Sequence, residues 1–273
     1  MYTGSPYENT RERAVDHLAE VRRLIFEGRT AEARAIIDAE FFTPQHGMRY
    51  LPLGTLRLDF GHGDGASEYE RTLDLRDATA STAYTVDGVR YSRTAFTSLA
   101  DNVMAVRLEA DRKGALSFDV SYSCPLEYHV AAAGNELTIE CEGAEQEGVP
   151  AALKAAAAVR VVTDGEVAAE EGRLSVRNAA AATVYISAAT NFVSYDDVSG
   201  DARAKVEAAL DNASAKSYGR LLKDHRDKYG RQFGRVELSL PESASSVLDT
   251  DRRVAAFNEA SMVVEKNGRV HAI

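Results

Sequence analysis

The chain has 273 residues, 42 acidic and 32 basic, and a net charge of −10. That acidity excludes a surface built to displace counterions from nucleic-acid phosphates and disfavours an anionic membrane. Apolar residues at 45 % and charged residues at 27 % are ordinary for a globular chain long enough to bury a substantial core, as one large domain or two small ones, and they exclude long-range disorder. No stretch approaches the roughly 20 apolar residues of a membrane-spanning helix.

In chain order, residues 10–40 carry the helical spacing. Ala14, Leu18, Val21, Leu24 and Ile25 recur at intervals of three and four. Gly28 interrupts the pattern, Thr30 is placed to cap a second helix, and Ala33, Ile36 and Ile37 form its inner face. From about residue 50 to 200 the period shortens to two, with breaks at Gly, Asp and Asn. Leu56–Phe60, 69–75, 83–94, 102–109, 116–121, 137–141, 159–163, 174–177 and 183–188 read as strands. Asp87-Gly88 is a type I′ hairpin signal. The alanine-rich segment 151–158 favours helix on propensity, yet it runs directly into Val159-Arg160-Val161-Val162 and reads as strand. Helical spacing returns over 201–216 and 218–233, followed by an alternating strand over 235–240. Residues 242–273 predict a tail that is partly helical or loosely ordered.

The candidate chemistry is sparse. Gly61-His62-Gly63-Asp64-Gly65 has the composition of a phosphate loop, but a strand follows it rather than a helix N-terminus, so it reads as a flexible hairpin loop. Cys124 and Cys141 lie on neighbouring strands. A bridge between them is geometrically open, but two buried thiols are the simpler reading. No histidines fall at metal-ligand spacing, and neither a metal nor a cofactor is expected. His225, between Leu222 and Tyr229, reads as a packed helix residue. No Gly-x-Ser-x-Gly elbow is present. There is no tryptophan to stack on a sugar, a role that Tyr50, Tyr84, Tyr91, Tyr122, Tyr128 and Tyr195 can partly fill. The residues alone therefore give an acidic, β-rich domain with helices at both ends.

Several segments carry a resemblance further. Tyr2-Thr3-Gly4-Ser5-Pro6-Tyr7 is similar to a Leu-Trp-Ser-Gly-x-Pro segment, with Tyr2 where Trp is usual. Tyr50-Leu51-Pro52-Leu53-Gly54-Thr55-Leu56 is similar to a Tyr-x-Pro-Leu-Gly-Asp-Leu motif, with Thr55 at the acidic position. Ile25-Phe26-Glu27-Gly28, Ala95-Phe96-Thr97-Ser98, Ala188-Ala189-Thr190-Asn191-Phe192 and Tyr218-Gly219-Arg220-Leu221 follow in the same order. Over residues 2–258 this resembles the N-terminal domain of glycoside hydrolase family 95, the 1,2-α-L-fucosidases.

The resemblance implies a mainly β fold, a large antiparallel supersandwich with short N-terminal helices and a C-terminal helical linker. It divides the chain into a sandwich with its helical segment at 1–198, a helical linker and return strand at 199–240, and a tail at 241–273. In that family inversion is performed by an (α/α)6 barrel that follows the linker, so no catalytic residue transfers to any position here. The implied function is a non-catalytic domain supporting a barrel that hydrolyses terminal α-L-fucosides. The barrel is its expected partner, a fucosylated oligosaccharide a further one, and self-association through an exposed apolar face is expected. His46, Arg49 and Tyr50, in a Pro/Gly-rich loop suited to polar sugar recognition, are the candidate substrate-rim residues. The alternative is a stand-alone carbohydrate-binding or structural module. Compartment is left open.

Overall fold

The computed structural model describes residues 5–8, 11–43, 49–63, 65–238, 244–259, 263–264 and 270–271. Two compact units divide the chain, Met1–Phe233 and Gly234–Ile273.

The first unit opens with a single 3-10 turn at Ala14–His17 and helices α1 (Leu18–Phe26) and α2 (Thr30–Glu40). Val21, Leu24 and Ala33 are buried between the helices, with Ile36, Ile37 and Phe41 packed around them. Leu18 and Ile25, on the predicted apolar face, stay exposed. Gly28 takes φ +77, its N–H bonds the carbonyl of Ile25, and the N–H of Arg29 bonds that of Leu24. This is a Schellman closure, which needs the left-handed conformation glycine adopts without strain. It turns the chain so tightly that Thr30 is already the first helical residue. Arg29 occupies the cap without a side-chain cap bond, so the expected Thr30 cap does not form.

Twelve strands follow: β1 Thr55–Asp59, β2 Ser67–Asp74, β3 Thr79–Val86, β4 Val89–Ser98, β5 Val103–Ala110, β6 Leu116–Ser123, β7 Tyr128–Ala133, β8 Glu136–Glu142, β9 Lys154–Thr163, β10 Glu166–Glu170, β11 Arg173–Ala179 and β12 Ala181–Thr190. They build a large sheet of order β2-β3-β4-β5-β12-β9-β8-β7 and a small sheet of order β1-β6-β11-β10, every pair antiparallel. The architecture is the mainly β sandwich that the alternation implied. The core between the sheets holds Leu108, Phe118, Val120, Leu137, Ile139, Leu174, Val176 and Val184. The Asp87-Gly88 turn closes the β3–β4 hairpin with φ of +51 and +70, as a type I′ turn requires.

Helices α3 (Ala202–Ser214) and α4 (Tyr218–Phe233) cover the other face of the large sheet, α3 across β9 and β12 and α4 against β4. Phe96, Ala105, Ala156, Ala158 and Tyr185 meet Val206, Leu210 and Leu221 there. The alanine run is thereby explained. Ala155 and Ala157 point into the sandwich and Ala156 and Ala158 under α3, so small side chains let both layers close on one strand. His225 is buried on α4. Its Nε2 bonds the carbonyl of Asp77 at 2.9 Å and its ring lies 4.7 Å from that of Phe96, a packed helix residue as anticipated.

Strands β7 and β10 escaped the sequence pattern. Both are edge strands, exposed at most positions, so neither needs an apolar period. The Gly61–Gly65 segment is not a hairpin loop: it carries the chain from β1 in the small sheet to β2 in the large one. Cys124 and Cys141 are free thiols with Sγ atoms 4.0 Å apart.

In the second unit, residues 235–238 form no strand, contrary to the alternation, and 239–240 lie outside the described residues. A 3-10 turn at Ala244–Val247, helix α5 (Thr250–Glu259) and a two-residue pairing of Val263–Val264 with Val270–His271 follow.

Candidate functional site

The predicted rim lies at one end of the sandwich, where β1 and β9 begin and β6, β8 and β12 finish. His46 lies outside the described residues. The backbone N–H and Nε of Arg49 donate to Oε1 of Gln146 at 2.9 and 3.3 Å. Tyr50 is 81 % exposed. The following motif is anchored from below: the Leu53 carbonyl accepts from the hydroxyl of Tyr122 and, at 2.8 Å, from the Cys124 thiol. Burial, with the two thiols beside it, pushes the Tyr122 phenol well above its ordinary value, so it remains a donor. Gly54 has φ +151, and any Cβ there would overlap the Tyr122 ring. The Pro-Leu-Gly motif is thus a docking joint for the chain entering β1.

The neighbouring loops are tied together by side-chain bonds to backbone. Ser5 bridges the carbonyl of Pro150 and the N–H of Ala152. Asn191 accepts from Lys154 N–H at 2.9 Å and donates to the carbonyls of Ala152 and Val198. Phe192 and Tyr195 remain exposed, Tyr195 at 86 %. The described part of this end therefore offers Tyr50, Phe192 and Tyr195 as free rings on braced loops.

Beside it a cleft of about 460 Å³ is lined by Glu140, Glu142, Lys154, Asn191, Asp201 and Arg203 among others. Its carboxylates are already engaged. Glu142 pairs with Lys154 at 2.8 Å, Glu140 with Arg203 at 3.7 Å, and Asp201 caps α3 through the Ala204 N–H at 2.9 Å. Elsewhere among the described residues, the carboxylates with displaced pKa values move downward. Examples are Asp224, held by Lys216 and Arg220, and Asp164, held by the N–H groups of Ala181 and Ala180. A general acid needs the opposite displacement. Among the described residues no three His, Cys, Asp or Glu side chains gather as a metal site.

A second cleft, about 510 Å³, opens between the two sheets where β1 and β2 form their edges. Arg57 and Asp59 come from β1, Phe60 and His62 from the crossover, Tyr69 and Arg71 from β2, Thr82 and Tyr84 from β3, and Arg93 from β4. Arg93 stands 4.0 Å over the Phe60 ring and its Nη2 donates to the Tyr84 hydroxyl at 2.7 Å. That hydroxyl, accepting from a cation, is free to donate onward to Nδ1 of His62 at 3.1 Å, which leaves the ring proton on Nε2. Burial and the charge of Arg93 lower the His62 pKa, so the imidazole is neutral at neutral pH. The rings of His62 and Tyr91 are 4.3 Å apart. Sequence reasoning met His62 only as part of a glycine loop and passed over Arg57, Arg71 and Arg93. One signal was present: Arg93 follows Val89 and Tyr91 at period two, a charged residue on the core-facing side of β4.

Residues 1–195 match the family model described as "Glycosyl hydrolase family 65, N-terminal domain". A curated protein of Arabidopsis thaliana named "Alpha-L-fucosidase 2" is 29 % identical over 292 aligned residues, which take in 94 % of this chain and 34 % of that protein. The chain thus spans about a third of the length of the curated relative it matches. Among solved structures, one titled "Putative kojibiose phosphorylase from human microbiome" aligns with a TM-score of 0.37 and 13 % identity, over 59 % of this chain and 22 % of its own.

Proposed function

The chain belongs to the family of glycosyl hydrolase family 65 N-terminal domains, and on that premise we propose that it is the non-catalytic β-sandwich domain of an α-L-fucosidase of the family 95 type. The hydrolysis of terminal α-L-fucosides, with inversion, then falls to a helical barrel outside these 273 residues. The observation that carries this reading is the match of 94 % of the chain to one third of a protein named for that activity. The chemistry of the clefts agrees with it. Inverting hydrolysis needs an acid and a base about 6.5–9.5 Å apart with room for a water, whereas Glu142 pairs with Lys154, Glu140 lies 3.7 Å from Arg203 and Asp201 is spent on a helix cap.

The domain's own contribution is support and edge. Arg49, held by Gln146, and the exposed Tyr50 form a rim against which the outer sugars of a fucosylated oligosaccharide rest; His46, the third residue expected there, lies outside the described residues. The test is direct: the purified 273-residue chain, incubated with 2′-fucosyllactose, releases no fucose. Measurable release overturns the assignment of the chemistry to another part of the protein.

A further inference from the structure

The cleft between the β1 and β2 edges takes no part in that reading. We infer that it is a binding site for a sugar bearing an oxyanion: a carboxylate, or a sulfate or phosphate ester.

Charge is the first argument. The chain as a whole is strongly acidic, yet among the described residues this cleft is lined by three arginines, Arg57, Arg71 and Arg93, and one acid, Asp59. Arg71 and Arg93 stand on one face of the large sheet, joined through Thr82, whereas Arg57 and Asp59 alternate with the core-packed Leu58 and Phe60 along β1 and just past its end. None of the three arginines forms an ion pair with a carboxylate among the described residues, whereas Arg160 and Arg177 on the same sandwich pair at 2.8 and 2.6 Å. Arg71 and Arg93, flanking Thr82 with no ion pair among the described residues, repel one another, and an incoming anion relieves that repulsion.

Arg93 supplies the second. It occupies a core-facing position, fixed by Phe60 beneath it and Tyr84 beside it. Of its five N–H donors, one serves Tyr84, and its buried Nε has no partner. A buried donor left unmade is costly, and a planar guanidinium pinned in place is the group that meets an oxyanion with two parallel bonds.

The remaining walls suit a sugar ring. The Thr82 hydroxyl and the neutral His62 are acceptors and donors for hydroxyl groups. Tyr69, 62 % exposed, offers a ring face. About 510 Å³ falls within the range of small-ligand sites. An acidic peptide would use the arginines but would leave the Thr82 and His62 hydrogen-bonding groups idle.

Titration calorimetry on the whole chain, with glucuronate, galactose 6-sulfate, glucose 6-phosphate and neutral glucose as probes, tests this. Saturable binding of at least one charged sugar, absent for glucose and weakened by salt, is the expected result. Which probe binds identifies the oxyanion. Arg71→Gln, at an exposed position that leaves the fold intact, and Arg93→Met are each expected to weaken it about tenfold, the scale of one charge-assisted bond. Failure of all three charged sugars to bind, equal binding of glucose, or unchanged affinity in Arg71→Gln overturns the proposal. So does binding confined to an oligoglutamate peptide, which makes the cleft a protein-docking site.

Discussion

Strands β9 and β2 belong to the same sheet and live in different surroundings. From Ala155 to Val159 every residue of β9 is buried, because the small sheet closes on one side and α3 on the other. All eight residues of β2 are exposed, at the sheet's outer edge. A strand covered twice loses its polar–apolar alternation and reads as a continuous apolar run, as parallel strands do for the same reason. A strand covered on neither side keeps whatever residues solubility and pairing permit. The difference shows that the number of layers over a strand, more than its own propensity, sets which residues it tolerates.

Three measurements break or sharpen this contrast. Ala158, 2 % exposed beneath α3, has no room for extra methylenes, so Ala158→Leu is expected to lower the urea-unfolding free energy by about 2–3 kcal/mol. A negligible loss would mean that α3 yields easily and that the centre is not closed on both faces.

The second measurement concerns the fastening of that helical layer. Lys216, in the turn between α3 and α4, reaches Asp101 in the β4–β5 turn and, at 2.9 Å, Asp224 on α4. Lys216 and Arg220 hold the Asp224 carboxyl below its ordinary 3.8. A depressed pKa contributes stability that is complete above the unfolded value and is lost as pH falls through the folded one. Asp224→Asn is therefore expected to lower the melting temperature at neutral pH and to flatten its fall on acidification below 3.8. An acid limb as steep as that of the parent chain would contradict the clamp.

The smallest effect is expected at the edge. Leu73 on β2 is 66 % exposed, so Leu73→Ser is expected to change the unfolding free energy by less than about 0.5 kcal/mol. A loss comparable to that of Ala158→Leu would show that β2 is covered in solution, and the comparison between edge and centre would fail.

The candidate sites were legible to different degrees. The rim was approached through a motif, and the motif has a local cause: Gly54 makes room for Tyr122, and Leu53 receives two donors. Arg49 and Tyr50 follow from their place beside it. The inter-sheet cleft was not legible, because its arginines come from β1, β2 and β4 and are joined by no spacing rule. Arg93 on the inner side of β4 was a clue, but one charged residue in an alternating run is equally consistent with a strand end.

Period, turn chemistry and charge are local properties, and they sufficed for the β class, the helices at 18–40 and 202–233, the Asp87-Gly88 hairpin and the acidic surface. Sheet order, the crossover of Gly61–Gly65 between layers, the edge strands β7 and β10 and the recess holding Arg57, Arg71 and Arg93 came from the folded chain. They depend on which distant segments bury one another's apolar faces, a free energy shared between partners that no single segment encodes.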